Sequence, residues 1–212
     1  MNALFLGGSF TAAGNLPTAF KKMYELAYGG ECTVSSHTFS QAKLCEHFIS
    51  KESRELLTSR NWNTVILQEQ SKLPIDNPKE ALKAITHWKE IIPSNTFLIL
   101  MMTWRRKEDF ADSDRWARQL NFFKKARSLG VYVSPVGLAW EIYRGAFPHH
   151  ELMEASSSHS SPKGAELSAT CLIESLSRLA ARRDKWQNHI LEMYISAVAA
   201  HELFVESDNV IT

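Results

Sequence analysis

The stretch Ala3-Leu4-Phe5-Leu6-Gly7-Gly8-Ser9-Phe10-Thr11, followed by Leu16-Pro17, decides how the chain reads. Residues 3–6 are apolar, few and bounded by glycines, the pattern of a buried strand. From Leu16-Pro17 onward apolar residues recur at helical spacing, at Phe20, Met23, Tyr24, Leu26 and Ala27, and Pro17 suits the first helical position. Strand, glycine turn, exposed hydroxyl, helix is a layout that presents a nucleophile. The same layout also cradles phosphates or serves only as a turn, so the rest of the chain has to decide.

Working outward, strand-like runs follow at 32–39, 64–67, 96–102 and 131–136, separated by amphipathic segments at 16–28, 41–58, 78–92 and 115–129. Strand alternating with helix implies a parallel sheet covered on both faces. The expected fold is therefore α/β: three α/β/α layers around a five-stranded parallel sheet, flavodoxin-like, with ligands binding outside the carboxyl ends of the strands. Ser9 and Gln68 both fall just past such ends. A short helical stretch with Trp140 and Tyr143 comes next, then a polar loop at 147–162 that carries His149, His150 and Ser156-Ser157-Ser158-His159-Ser160-Ser161. Pro162 opens another helix, and the tail from 182 reads as a C-terminal helical extension. Its stripe of Trp186, Ile190, Met193, Tyr194, Ala197 and Phe204 either packs on the same domain, 1–181, or forms a homodimer or partner surface.

Composition excludes several classes. The 24 Lys+Arg against 23 Asp+Glu give a formal charge of +1 and no electrostatic footprint for nucleic acid. With 44% hydrophobic and 10% aromatic residues, the chain is no disordered segment. Cys32, Cys45 and Cys171 form no Cys-x-x-Cys pair, which argues against a zinc site or disulfide framework and for buried thiols in a reducing compartment. No apolar run approaches the roughly 20 residues of a membrane span, and the first strand begins too close to Met1 for a leader, so a cytoplasmic protein is expected. Gly7-Gly8-Ser9 with Gly14 matches neither a P-loop nor a dinucleotide fingerprint, and His149, His150, Glu151 and His159 match no common metal spacing. No cofactor and no metal are expected.

A hydroxyl nucleophile needs a base within reach, an acceptor that orients the base, and donors aimed at the developing oxyanion. Ser9, His159 and the glutamines Gln68 and Gln70 of Val65-Ile66-Leu67-Gln68-Glu69-Gln70-Ser71 are of those types. Taken in order, these pieces resemble the SGNH/GDSL hydrolase superfamily, over most of the chain from Leu4 to about Leu176. Leu4–Thr11 looks like its first block, 65–71 its third, and His159-Ser160-Ser161-Pro162-Lys163-Gly164 its last; Thr103-Trp104 and Pro135-Val136-Gly137-Leu138-Ala139-Trp140 are also similar. The resemblance implies Ser9 as nucleophile and His159 as general base. It also implies oxyanion or substrate contacts from Gly8, Gln68, Gln70, Gln41 and Trp104.

Three positions depart from the family. Its aspartate, three residues before the histidine, is Ser156 here, leaving Glu154 or Glu151 to orient His159, with Glu154 preferred. Its second block, near Ser40-Gln41, lacks the glycine that donates to the oxyanion. Gly8 replaces an acidic or amide residue, and the family's asparagine maps to Gln68 or Gln70, with Gln68 nearer the strand end. Arg105-Arg106-Lys107 is either a solvated loop or a receptor for an anionic group. The implied function is hydrolysis of a small acyl ester, such as acetyl on a carbohydrate. The alternative is a catalytically impaired protein of the same fold that binds a ligand or partner.

Overall fold

The structure, a computed structural model, describes residues 1–183. Five strands, β1 (Asn2–Gly7), β2 (Thr33–Thr38), β3 (Thr64–Leu67), β4 (Phe97–Met101) and β5 (Tyr132–Ser134), form one parallel sheet in the order β2-β1-β3-β4-β5. This is the doubly wound flavodoxin-like order. Leu6 stands opposite His37 of β2 and Leu67 of β3. Chain connections leave β1 toward β2 and β3 toward β4, so β1 and β3 flank the switch point. The crevice outside their carboxyl ends is where such sheets bind ligands.

Helices cover both faces. On one face Leu4, Leu6, Val65, Leu67 and Leu100 bury against three helices. Leu44 comes from α3 (Leu44–Ile49), Ile85 and Trp88 from α6 (Pro78–Ile91), and Phe122 and Phe123 from α7 (Ser113–Ser128). Trp88 Nε1 donates to the Leu44 carbonyl at 2.9 Å, tying α6 to α3. Successive strand side chains alternate, so Phe5 points to the other face. There its ring meets Phe20 of α2 (Leu16–Tyr28) edge-on, with centroids 5.3 Å apart. Ala165, Ala169 and Leu172 of α9 (Pro162–Arg183) are buried, and Ser134 Oγ at the end of β5 donates to the Cys171 carbonyl of that helix.

The amphipathic segment 41–58 is two helices rather than one, α3 and α4 (Lys51–Thr58). Ser50 between them is extended, with φ −65° and ψ 130°, and its Oγ accepts from the Ser53 N–H. A serine that caps the next helix competes with continuing the previous one. Two short helices, α1 (Ser9–Ala12) and α5 (Leu73–Asp76), follow β1 and β3 directly, and α8 (Val136–Ala146) follows β5.

The chain divides into two compact units, Met1–Glu174 and Ser175–Thr212. The sheet, its covering helices and the residues discussed below belong to the first. Of the second, the described residues continue α9; the stripe from Trp186 to Phe204 and the surface expected on it lie outside the described residues. No described helix is long and apolar enough to cross a membrane.

Candidate active site

The turn after β1 is built for close approach. A Cβ at Gly7 would lie 2.4 Å from Thr11 Oγ1 and 2.9 Å from Gln68, so only glycine fits there. The Gly8 N–H donates to Gln68 Oε1 at 2.8 Å and Thr11 Oγ1 donates to the same oxygen at 2.9 Å. The Gly8 carbonyl accepts from the Thr11 and Ala12 amides at 3.0 and 3.1 Å, closing α1. Ser9 is thereby the first residue of α1, half-buried, its own N–H free of any described partner as first-turn amides are. Gln68 is 2% exposed. Its oxygen is committed to the turn, and one Nε2 hydrogen goes to the Glu69 carbonyl. The second remains for a ligand.

His159 reaches this turn on a hairpin. A bridge pairs Met153 with Ser160, and the Glu154 N–H donates to the His159 carbonyl at 2.9 Å. Ser160 Oγ donates to the Ala13 carbonyl at 2.8 Å, just past α1. Gly14 has φ +61°, and a Cβ on it would lie 2.7 Å from the Ser161 carbonyl oxygen. The loop that carries His159 thus docks directly on the turn that carries Ser9. Phe10, the neighbour of Ser9, meets the His159 ring edge-on at 5.8 Å between centroids.

Behind that contact runs a three-ring stack. Phe10 lies on Trp104 at 4.6 Å, and Trp104 on Trp140 at 3.8 Å, nearly parallel in both cases. With both faces covered and 1% exposure, Trp104 has no surface left for a substrate. Its Nε1 donates to the Ser158 carbonyl at 2.9 Å, so it anchors the hairpin instead. The Lys107 N–H donates to Ser158 Oγ at 2.9 Å, and Lys107 Nζ donates to the Glu154 and Ala155 carbonyls.

The structure does not bring Glu154 to the imidazole. Its exposed carboxylate accepts from Ser157 Oγ at 2.8 Å, because the tight turn 154–159 folds it outward onto its own hairpin. Glu151 and Ser156 are exposed as well, and no described residue bonds the His159 ring. Nor does the Ser9 hydroxyl bond it directly; such hydrogen bonds commonly tighten only around substrate. His150 Nδ1 shares a 2.8 Å hydrogen bond with Tyr143 Oη, away from this cluster. Among the described residues no three His, Cys, Asp or Glu side chains are grouped to hold a metal ion.

The remaining glutamines differ in role. Gln70 Oε1 accepts from the Lys72 and Leu73 amides at 2.9 and 2.8 Å, holding the entry to α5. Gln41 is exposed with φ +56°, a left-handed backbone in which glycine is usual. Its turn closes with the Ala42 N–H donating to the Phe39 carbonyl at 3.3 Å, and these two groups lie about the Gly8 Cα. The Gln41 N–H has no described partner, in a turn whose Phe39 and Ala42 backbone lies against Gly8. Two of the three basic residues are ion-paired in place: Arg105 with Glu141, and Arg106 with Glu108 at 2.6 Å.

Two buried titratable residues escaped the reading of the sequence. Glu69 is 1% exposed; its Oε1 accepts from the Gln70 and Leu44 amides at 2.7 and 3.1 Å, while Oε2 has no partner among the described residues. Burial pushes its carboxyl up to about 7 despite those donors. His47 of α3 is fully buried, and burial brings it down to about 4. Its signal was present: His47 follows Leu44 by three residues, on the apolar side of the helix.

No protein-family model matches this sequence, and no curated protein matches it significantly. Solved structures do. A protein from Slackia heliotrinireducens described as an SGNH hydrolase is 23% identical over 83% of this chain and 98% of its own, with a TM-score of 0.70. A lipase/acylhydrolase from Enterococcus faecalis is 16% identical over 84% and 97%, at 0.65. A W215I form of an acetyl xylan esterase from Geobacillus stearothermophilus is 11% identical over 82% and 94%, at 0.62. With its 2-1-3-4-5 parallel sheet and a turn-borne serine at the switch point, the chain has the fold of the SGNH/GDSL hydrolase superfamily.

Proposed function

We propose that this chain is a serine ester hydrolase acting on a small acyl group, with Ser9 as nucleophile and His159 as general base. The observation that carries the reading is the docking of the His159 hairpin onto the Ser9 turn, through Ser160 on Ala13 and the His159 ring on Phe10. In the reaction Ser9 Oγ attacks the acyl carbonyl while His159 accepts the hydroxyl proton. The oxyanion is met by the amides of Ser9 and Gln41 and by the second Nε2 hydrogen of Gln68. His159 then returns the proton to the departing alcohol, and water, activated by the same imidazole, releases the acyl group from Ser9. An acetyl group on a carbohydrate fits the acetyl xylan esterase among the similar structures.

The absence of an acceptor on the His159 ring among the described residues favours a second reading, a binder of the same fold with impaired chemistry. One experiment separates the two. A fluorophosphonate probe should label wild type once and fail to label Ser9→Ala, and His159→Ala should lose nearly all hydrolysis of p-nitrophenyl acetate while His149→Ala and His150→Ala retain it. Labelling that survives in Ser9→Ala, or hydrolysis that survives in His159→Ala, refutes the assigned roles. An unlabelled, inactive wild type favours the binder.

A further inference from the structure

We propose that His47 is a positioning residue for the Ser9 chemistry: at the end of a hydrogen-bonded chain through Ser53 from His37, its imidazole clamps the Gly7–Gly8 peptide, one peptide upstream of the bond that joins Gly8 to Ser9. The inference rests on the esterase reading. His47 Nε2 lies 3.0 Å from the Gly7 carbonyl oxygen, His47 Nδ1 lies 2.7 Å from Ser53 Oγ, and His37 Nδ1 lies 2.8 Å from that same hydroxyl.

The direction of every bond follows from the first. A carbonyl only accepts, so His47 Nε2 carries the hydrogen. Burial keeps the ring neutral, so Nδ1 is an acceptor and Ser53 Oγ donates to it. The Ser53 oxygen then accepts from His37 Nδ1–H. His47 and Ser53 are fully buried and His37 is half-buried, so the chain runs from the surface to the nucleophile turn.

Its end point matters because of what sits on the other side. The Gly7 carbonyl and the Gly8 N–H belong to one peptide group. His47 holds the carbonyl, and Gln68 Oε1 holds the N–H at 2.8 Å. A peptide between two glycines is the easiest in a chain to rotate, and rotation here would swing Ser9 and its amide off the site. Clamping both ends of that plane removes the freedom. The same imidazole packs on Phe39 at 4.5 Å between centroids, and the Phe39 carbonyl accepts from Ala42 in the Gln41 turn. One side chain therefore supports both walls of the oxyanion region.

The test compares a variant that keeps an N–H donor with one that does not. His47→Gln retains a donor for the Gly7 carbonyl; His47→Leu removes it. For wild type and each folded variant, three quantities are measured: the rate of fluorophosphonate labelling at Ser9, kcat and KM for p-nitrophenyl acetate, and hydrogen exchange at the Gly8 amide. Expected are a fall of roughly tenfold to hundredfold in labelling and kcat for His47→Leu with KM unchanged, faster Gly8 exchange, and recovery to within about threefold in His47→Gln. Equal losses in both variants, or no loss in either, overturn the proposal. Should His47→Leu not fold, Ser53→Ala decides. It frees the His47 ring to change tautomer and should lower kcat with KM unchanged; unchanged kcat and Gly8 exchange overturn the proposal. Failure of the esterase reading is seen separately, as a wild type that neither labels nor hydrolyses; Gly8 exchange then still reports whether His47 holds the turn.

Discussion

Ser156 stands three residues before His159, where the family carries the carboxylate that steadies the imidazolium, and it is exposed on the turn of the hairpin. A serine hydroxyl accepts a hydrogen bond but does not offset the charge that His159 would acquire as the proposed general base. Loss of that carboxylate costs about 10⁴ in turnover in serine proteases. With Glu154 folded onto Ser157, Ser156→Asp should raise turnover on p-nitrophenyl acetate by about tenfold, since an unevolved geometry recovers only part of that factor. Ser156→Asn, which adds an acceptor without charge, should gain much less. Steady-state kinetics on the two variants checks this, and equal rates would remove charge as the cause. Glu154→Gln should leave turnover nearly unchanged, because Ser157 Oγ is the contact its carboxylate makes. The nucleophile and base candidates were legible as residue types within short motifs. The direction in which the Glu154 carboxylate points was not, because a turn of six residues sets it.

At the scale of elements, the Phe10–Trp104–Trp140 stack joins α1, the loop after β4 and α8, and through Trp104 Nε1 it holds the hairpin that carries His159. Trp104 was named as a site residue through the family resemblance alone. Its actual contribution comes from being covered on both faces, which depends on two distant elements. Trp104→Ala removes two stacking contacts and the donor to Ser158, and truncation of a buried tryptophan typically costs about 3–5 kcal/mol. Thermal or urea unfolding should register that loss. Trp104→Phe keeps the stack but not the hydrogen bond. It should lose less stability than Trp104→Ala and yet hydrolyse more slowly than wild type, since the hairpin loses its anchor. If Trp104→Phe matches wild type in rate, the indole hydrogen bond does not position His159. The split of 41–58 into α3 and α4 follows the same rule. Apolar spacing carries across Ser50, and the cap that breaks the helix becomes visible only as geometry.

At the scale of the molecule, two buried groups set opposing responses to pH. Glu69, raised from 4.5 to about 7, holds a proton in the folded state that the unfolded chain has lost, so its contribution is full below about pH 4.5 and fades as pH rises through 7. His47, lowered from 6.5 to about 4, stays neutral where the unfolded chain is charged, so its contribution is full above pH 6.5 and fades as pH falls through 4. Between about pH 4.5 and 6.5 the two slopes, each up to about 1.4 kcal/mol per pH unit, oppose each other. Urea unfolding across that window should show weak pH dependence in wild type. Glu69→Gln should lose stability toward acid and gain relative to wild type above pH 7; His47→Gln should lose stability toward alkali. Parallel curves for all three proteins would show that neither group titrates out of register with the unfolded chain. The alternating strands and helices, the strand-end placement of Ser9 and Gln68, and the motif order were legible along the chain, because these depend on local periodicity and on chain neighbours. Tertiary structure alone decided the rest. It brought a hairpin from residues 153–160 onto the turn at 7–14, buried Glu69 and His47 behind that turn, and set no carboxylate among the described residues on the His159 ring. Those outcomes depend on which groups far apart in the chain exclude water from one another, and periodicity along the chain carries no record of that.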